Sequence, residues 1–227
     1  MRIKAVIHDW DDTITNAFET YTQFYIDMGE HFNLRKASID EIRKHWGSPI
    51  EVIVSGVWPD LSAKEAKKLT YEFIKALKKW RKSYEATVFP GVKETIKALS
   101  SKNIKLGAIS SGYRPVIEKI YAEQIYDGKN YHDFIFDHND LGVAKPNPQV
   151  FDKPLEILGA FGISEKDAIY VGDSFQDMEA ANNRGLEFYA VTTGVKSKKD
   201  FVKKGLSDKY ILNSFNDILH VLDDPLI

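Results

Sequence analysis

Two aspartates placed two residues apart follow an apolar segment near the start of the chain. Residues 3–7 are apolar except for Lys4, as expected of a strand buried in a parallel sheet, so Asp9 and Asp11 fall at or just beyond its carboxyl end. In extended chain this spacing directs both carboxylates to one side, where each makes ionisation of the other costlier unless a cation lies between them. The pattern favours a divalent metal site, although an acidic turn that caps a helix would use the same residues.

Residues able to bind phosphate or metal also follow later apolar segments or lie in the loops between them: Ser110, Ser111, Gly112, Lys145, Asp173 and Asp177. Because ligands of open α/β sheets bind at the carboxyl ends of the strands, we expect these residues to converge on one crevice. A hydroxyl, an ammonium group and several carboxylates fit phosphoryl transfer, which spreads negative charge over oxygens and depends on positioning and charge neutralisation.

Each residue type has a defined task in that chemistry. Phosphoryl oxygens accept hydrogen bonds, and four groups could donate them: the Ser110 hydroxyl, the backbone N–H groups of Ser111 and Gly112, and the Lys145 ammonium group. Mg²⁺ is a hard ion that takes oxygen ligands and keeps several waters. Asp9, Asp173 and a nearby backbone carbonyl could supply such ligands, so the sequence predicts a Mg²⁺ site in the same crevice.

The elements that would position these residues follow from the hydrophobic patterning. After residue 86, short apolar runs alternate with helical patterns. The predicted strands span residues 104–109, 134–136, 168–171, 186–191 and 210–212. Helices are predicted at 92–99, 115–122, 149–158 and 178–183, and Ser197 and Ser214 are predicted to cap two more. This alternation is typical of an α/β fold with a doubly wound parallel sheet.

Residues 16–86 have a different pattern, without an evident strand. Apolar residues recur every three to four positions, Gly29 is expected to help end the first helix, and Ser38 and Ser62 each begin a capping box. We therefore predict an all-helical domain inserted after the first strand. The predicted domains are an α/β core of residues 1–15 and 87–227 and a helical domain of residues 16–86.

The composition excludes several classes of protein. Of the 227 residues, 31 are Lys or Arg and 33 are Asp or Glu, without long blocks of one charge, so neither a nucleic acid nor a membrane is an expected partner. The absence of cysteine excludes disulfides, thiolate nucleophiles and Cys-ligated zinc. No signal-like apolar segment follows Met1, which predicts a cytoplasmic protein.

The motifs resemble those of the haloacid dehalogenase superfamily of aspartyl-phosphate hydrolases. Its four motifs occur here in order: Asp9-Trp10-Asp11-Asp12-Thr13, Ser110, Lys145 before Pro146, and Gly172-Asp173-Ser174-Phe175-Gln176-Asp177. The resemblance implies that Asp9 is the nucleophile and that Asp11 is a general acid and base whose backbone carbonyl also binds the metal. It further implies phosphate binding by Ser110 and Lys145, metal binding by Asp173 with support from Asp177, and a helical cap over residues 16–86.

Three further positions are interpreted through the same resemblance. Gly47-Ser48-Pro49 is similar to a short glycine-containing cap segment of phosphoglycolate-phosphatase-like members, so Gly47 is expected to contact substrate. His8 stands where the family usually has an aromatic residue such as Phe, and we expect it to be a packing residue at the strand end. Asp12 occupies a position filled by Gly or Asp in the family and is expected to be a turn residue.

The sequence thus predicts a Mg²⁺-dependent phosphatase that hydrolyses a small phosphorylated metabolite through an aspartyl-phosphate intermediate. A dehalogenase is disfavoured because displacement of halide needs no acid for the leaving group, whereas Asp11 could serve as one. A phosphosugar mutase would use Asp11 in the same way, and a non-catalytic module that binds metal and phosphate is an alternative of another class. The motifs predict neither the particular substrate nor the oligomeric state.

Overall fold

The computed structural model describes residues 3–47, 50–80 and 86–223. The chain divides into two compact units, Met1–Asn16 with Thr87–Ile227 and Ala17–Ala86. Asn16 therefore groups with the first unit, whereas the sequence-based boundary assigned it to the helical domain. The reason is local, because the Asn16 N–H donates a hydrogen bond to the Thr87 carbonyl oxygen at 2.9 Å.

The first unit is built on a six-stranded sheet in which every strand pair is parallel. Its strands are β1 Ala5–His8, β2 Lys105–Ser110, β3 Phe134–Asp137, β4 Ala168–Gly172, β5 Glu187–Val191 and β6 Ile211–Leu212. Their order is β3-β2-β1-β4-β5-β6, so β1 lies between β2 and β4. His8 is in register with Ala108 on one side and Val171 on the other, which aligns the carboxyl ends of the three strands. The predicted doubly wound α/β fold is confirmed.

The sheet is buried because its central strands present apolar side chains to both faces. All four residues of β1 and all five of β4 are buried. Ile7, Tyr170 and Phe188 are neighbours in register and belong to the same core cluster, to which Phe151 and Met178 contribute from the flanking helical segments. This packed layer forms the floor beneath the carboxyl ends of β1 and β4.

Seven α-helices of this unit lie within the described residues: α5 Val92–Ser101, α6 Arg114–Ile120, α7 His138–Leu141, α8 Asp152–Ala160, α9 Phe175–Arg184, α10 Lys198–Lys203 and α11 Ile218–Asp223. Here α5 to α11 continue the numbering of four helices in the other unit. Helix α9 begins at Phe175 and not at residue 178, because Ser174 and Asp177 form a capping box. The short helix α7 was not predicted, since four residues are too few to give a periodic pattern.

The second unit contains α1 Ala17–His31, α2 Ile39–His45, α3 Ile50–Val57 and α4 Ala63–Trp80. The expectation that Gly29 helps to end α1 is wrong, because the helix continues to His31. Gly29 instead permits close packing, as a Cβ there would lie 2.7 Å from Cζ2 of Trp58. The left-handed residue after the helix is Asn33, with φ 54°. The capping box predicted at Ser38 is confirmed, with Glu41 as its partner.

Helix α4 is amphipathic and is the longest described helix, at 18 residues. Ser62 forms the predicted capping box, donating from its backbone N–H to Glu65 at 2.9 Å and accepting from the Glu65 N–H. Leu69 and Phe73 are buried, while most of the lysines are exposed. Within residues 3–47, 50–80 and 86–223, no helix combines the length and apolar character needed to cross a membrane.

Candidate active site

The ends of two neighbouring strands position the first two acidic residues. Asp9 follows β1 directly, and its N–H donates to the Val171 carbonyl oxygen at 2.9 Å, which extends the sheet ladder by one residue. Asp173 follows β4 in the same way. Both side chains are buried, so their carboxylates are held at the carboxyl edge of the sheet with little contact with solvent.

Asp177 is held by the start of α9. Its N–H donates to the Ser174 Oγ at 3.1 Å, and its Oδ2 accepts from the Ser174 backbone N–H and hydroxyl. A helix-capping role alone would explain these contacts of the Asp177 N–H and Oδ2. The other oxygen, Oδ1, faces away from the cap and accepts hydrogen bonds from Lys145 and Tyr170 at 2.7 Å each. Asp177 therefore links the helix start to the candidate site.

Lys145 joins the carboxylates that follow different strands. Its Nζ lies 2.6 Å from Oδ1 of Asp9 and 2.7 Å from Oδ1 of Asp177, and the side chain is 6% exposed. Burial alone would lower the pKa of this ammonium group, but Asp177 and Asp9 together raise the pKa above its usual value. Lys145 is thus a fixed positive charge within the cluster.

One oxygen from each of Asp9, Asp173 and Asp177 lies within 4.8 Å of the others, and all three residues are buried. Burial raises the pKa of the Asp9 carboxyl to about 7, an effect that Lys145 opposes. The pKa of Asp173 is raised well above its usual range, first by burial and then by neighbouring carboxylates. Because three carboxylates face one ammonium group, the cluster has excess negative charge that a divalent cation would offset. These oxygen donors suit a hard cation such as Mg²⁺.

Two glycines leave space for the acidic cluster. A Cβ at Gly172 would lie 2.6 Å from Cγ of Asp177, and a Cβ at Gly194 would overlap the Asp173 carboxylate. The neighbouring Thr193 donates its hydroxyl hydrogen to the Asp12 carbonyl oxygen at 2.6 Å, joining the loops after β1 and β5. Gly194 lies three residues after the predicted strand 186–191, and no pattern in the sequence indicates its contact with Asp173.

A second group of site residues lies beside the acidic cluster and consists of Asp11, Ser110 and Gly112. Ser110 is the last residue of β2 and is buried, and its Oγ accepts a hydrogen bond from the Gly112 N–H at 2.8 Å. A Cβ at Gly112 would lie 2.9 Å from this Oγ and 3.0 Å from Oδ2 of Asp11, so the hydroxyl and the carboxylate both border Gly112. The Gly112 N–H was expected to face phosphate, but here it orients Ser110. Ser111 is exposed.

Asp12 takes the turn conformation expected of it. Its φ is 59°, in the left-handed region, and its N–H donates to the Thr15 carbonyl oxygen at 2.8 Å. Asp tolerates this region better than most residues, because its short polar side chain hydrogen-bonds locally. The turn lets the chain leave the sheet immediately after Asp11.

His8 is buried behind Asp9 and has a specific partner as well as a packing role. Its Nδ1 lies 2.6 Å from the Asp9 carbonyl oxygen, and its Nε2 lies 2.7 Å from Nε2 of His132. A carbonyl can only accept, so Nδ1 of His8 carries the hydrogen, and the neutral ring then accepts at Nε2 from His132. Burial lowers the pKa of His8 to about 4. The ring also packs edge-on against Phe215.

Gly47, predicted to contact substrate, belongs to the helical unit. It follows α2 and has φ 83°, a conformation that favours glycine. Its contact with substrate stays a prediction, and Ser48 and Pro49 of the same motif lie outside the described residues. The structure therefore brings together Asp9, Lys145, Asp173 and Asp177, and places Asp11, Ser110 and Gly112 beside one another.

A model of the haloacid dehalogenase-like hydrolase family matches residues 6–191. This range includes the acidic cluster with Lys145 and also the group formed by Asp11, Ser110 and Gly112. The chain belongs to this family. Each predicted motif of the resemblance lies within the matched range, from Asp9 to Asp177. Membership of this family identifies the chain as a hydrolase.

Family members with assigned functions match most of the chain at low identity. A pyrophosphatase PpaX from Halalkalibacterium halodurans is 23% identical over 225 residues, covering 98% of each protein. A phosphoglycolate phosphatase from Photorhabdus laumondii subsp. laumondii is 28% identical over 149 residues, covering 63% of this chain and 60% of that protein. The crystal structure of a predicted phosphoglycolate phosphatase from Haemophilus somnus superposes with a TM-score of 0.77 at 21% identity, covering 97% of this chain and 98% of that one. This last similarity establishes the shared fold.

Proposed function

We propose that this hydrolase is a Mg²⁺-dependent phosphatase that transfers a phosphoryl group from a small phosphorylated metabolite to Asp9 and then to water. The observation that carries the proposal is the position of the Lys145 ammonium group between Asp9 and Asp177, inside a buried acidic cluster. Lys145 engages Oδ1 of Asp9, which leaves Oδ2 as the oxygen to attack phosphorus. A buried ammonium group beside a nucleophile is suited to the negative charge of a phosphoryl group.

The phosphoryl oxygens would be bound by donors from two loops. Lys145 supplies a positive charge, the Ser110 hydroxyl is oriented by the Gly112 N–H so that its own hydrogen can be donated, and the Ser111 N–H adds a backbone donor. Asp9, Asp173, Asp177 and the Asp11 carbonyl oxygen would hold Mg²⁺. The bound cation would neutralise charge on the nucleophile and on the phosphoryl oxygens.

Asp11 would move the protons in both half-reactions. In the first, Asp9 forms a bond to phosphorus, the bond from phosphorus to the ester oxygen breaks, and Asp11 gives its proton to the departing oxygen. In the second, Asp11 takes a proton from water as the water oxygen attacks phosphorus. The bond between phosphorus and Asp9 then breaks, which releases inorganic phosphate and restores both carboxyl groups. The proximity of Asp11 to Ser110 and Gly112 supports this role.

The substrate class is inferred from the relatives, whose names specify pyrophosphate and phosphoglycolate. We infer a small phosphorylated metabolite for this chain as well. The helical unit would act as a cap that excludes water during the reaction, and Gly47 would contact the part of the substrate distant from the phosphate.

A panel of phosphorylated compounds tests the proposal directly. Inorganic phosphate should be released in the presence of Mg²⁺ from at least one of p-nitrophenyl phosphate, phosphoglycolate, pyrophosphate and a series of sugar phosphates. Asp9→Asn is the matched control, because it removes the nucleophile and changes the side chain least. Conversion of a sugar phosphate to its isomer without phosphate release would indicate a mutase, and binding without any turnover would indicate a non-catalytic module.

A further inference from the structure

Tyr170 reaches the candidate site from within the core. It lies in β4, three residues before Asp173, and its exposed fraction is 0%. Its hydroxyl donates a hydrogen bond to Oδ1 of Asp177 at 2.7 Å and accepts one from Nζ of Lys145 at 3.2 Å. No motif of the sequence included this residue, which the strand pattern describes only as part of a buried apolar run.

Packing alone does not account for a tyrosine at this position. The ring is surrounded by apolar side chains, including Phe151 at 4.9 Å between ring centroids and Phe188 at 6.1 Å, so a phenylalanine would fill the same space. Burying a hydroxyl is unfavourable unless it is hydrogen-bonded, and here both partners are charged groups of the site. The hydroxyl is therefore explained by what it contacts.

The geometry around Lys145 shows what the hydroxyl adds. An ammonium group has three hydrogens to donate, and the Lys145 Nζ has three acceptors: Oδ1 of Asp9 at 2.6 Å, Oδ1 of Asp177 at 2.7 Å and the Tyr170 hydroxyl at 3.2 Å. The third acceptor is a phenol hydroxyl, which carries no formal charge, unlike the two carboxylates. Tyr170 thus completes the hydrogen bonds of the ammonium group without cancelling its charge.

We propose that Tyr170 is a positioning residue, which fixes the Lys145 ammonium group and Oδ1 of Asp177 relative to the nucleophile Asp9. This inference rests on the proposed phosphatase function. Without the hydroxyl, one ammonium hydrogen and one carboxylate oxygen each lose a buried partner, and the ammonium group can move from its place between the two aspartates. Positioning matters most in the transition state, where phosphoryl transfer depends on alignment with the neutralising charge.

Tyr170→Phe is the direct test, because it removes one oxygen atom from a ring that keeps its packing. With p-nitrophenyl phosphate and saturating Mg²⁺, kcat should fall about 10-fold or more, as expected for loss of a hydrogen bond to a charged group, while KM changes less. Tyr189→Phe is the control. Tyr189 is also a buried tyrosine, on the adjacent strand β5, and packs against Tyr210. Its variant should retain wild-type kcat.

A second measurement does not depend on turnover. NMR of isotopically labelled lysine ammonium groups should show a protected Lys145 signal, identified by its loss in Lys145→Arg. This signal should shift or broaden in Tyr170→Phe and stay unchanged in Tyr189→Phe. An unchanged Lys145 signal, or equal kcat for Tyr170→Phe and the wild-type protein, would overturn the positioning role and leave the phosphatase intact. Failure of the wild-type protein to release phosphate from any substrate would instead count against the proposed function.

Discussion

Lys145 donates to the nucleophile candidate Asp9 and to Asp177 through oxygens that are both Oδ1, at 2.6 and 2.7 Å. The two carboxylates belong to different elements, because Asp9 follows β1 and Asp177 lies in the first turn of α9, so the ammonium group is the direct polar link between them. It also offsets part of the repulsion within the acidic cluster. Lys145 is consequently expected to matter for stability as well as for turnover, and the two effects can be measured separately.

Replacement of Lys145 with alanine should reduce kcat/KM by about 10²–10³-fold, the range found when one preorganised electrostatic donor is removed. The melting temperature should also fall more without Mg²⁺ than with it, because the unpaired carboxylates then repel each other without a cation. The matched control is Lys166→Ala, at an exposed position in a surface turn. A loss in kcat/KM below threefold would show that Lys145 has no part in the reaction.

Substitution by asparagine should have different effects on the reaction at Asp9 and at Asp11. Asp9→Asn cannot form the acyl phosphate, so turnover and phosphoenzyme should both disappear. Asp11→Asn loses only general acid–base assistance, typically about 10²–10⁴-fold, and should still be phosphorylated by p-nitrophenyl phosphate, whose leaving group needs little protonation. The phosphoenzyme should then persist, because no base activates water.

Mass spectrometry of the peptides after brief reaction distinguishes these outcomes. The expected adduct lies on Asp9 in the Asp11→Asn protein. An adduct on Asp11 in the Asp9→Asn protein would reverse the two roles, and efficient turnover by Asp9→Asn would exclude covalent catalysis through this residue.

Mg²⁺ dependence can be tested at a residue that makes no bond to the ion. Excess EDTA should abolish phosphate release, and Mg²⁺ should restore it. In Gly194→Ala the new methyl group would overlap the Asp173 carboxylate, so the Mg²⁺ concentration for half-maximal activity should rise roughly 10–100-fold, as for other disturbances of the residues that orient metal ligands. Gly159→Ala provides the control, because a Cβ there meets no atom within 4 Å. Full activity in EDTA would contradict the metal requirement.

The sequence predicted the strand ends that carry the site residues better than it predicted the contacts that hold those residues in place. Apolar runs ending in Asp9, Ser110 and Asp173 indicated parallel strands, because burial on both faces requires such runs. Those contacts join residues that are distant in the chain. Tyr170 and Lys145 are 25 positions apart, and His8 and His132 are 124 apart, so no local pattern relates either pair. The motifs alone suggested Lys145 as a site residue but not what holds it.

The errors in the predicted helix boundaries have a different cause. Gly29 was expected to help end α1, because glycine commonly follows the last helical residue. The decisive contact is instead with Trp58, which approaches the helix too closely for a larger side chain. Similarly, α9 starts at its Ser174 cap, before apolar periodicity becomes visible. A glycine near a helix end can either terminate the helix or allow close packing, and only the tertiary contact shows which of the two applies.

The buried imidazole of His8 predicts how stability depends on pH. Its pKa is lowered to about 4 by burial, whereas the unfolded chain has the ordinary value of about 6.5. Between these values the unfolded state binds more protons at this residue than the folded state, so the contribution of His8 to stability is lost as pH falls from about 6.5 toward 4, and that contribution is constant above that window. The loss at about pH 5 is on the order of 2 kcal/mol for this residue alone.

His8→Phe tests this linkage, since a phenylalanine keeps an aromatic ring beside Phe215 and cannot bind a proton. The difference in free energy of unfolding between about pH 7.5 and about pH 5 should be smaller in His8→Phe than in the wild-type protein. Any opposing contribution from Asp9 and Asp173 is shared by both proteins and largely cancels in the comparison. His220→Asn, at an exposed position in α11, should retain the wild-type difference. Equal pH dependence in His8→Phe and wild type would show that His8 is not held neutral by the fold.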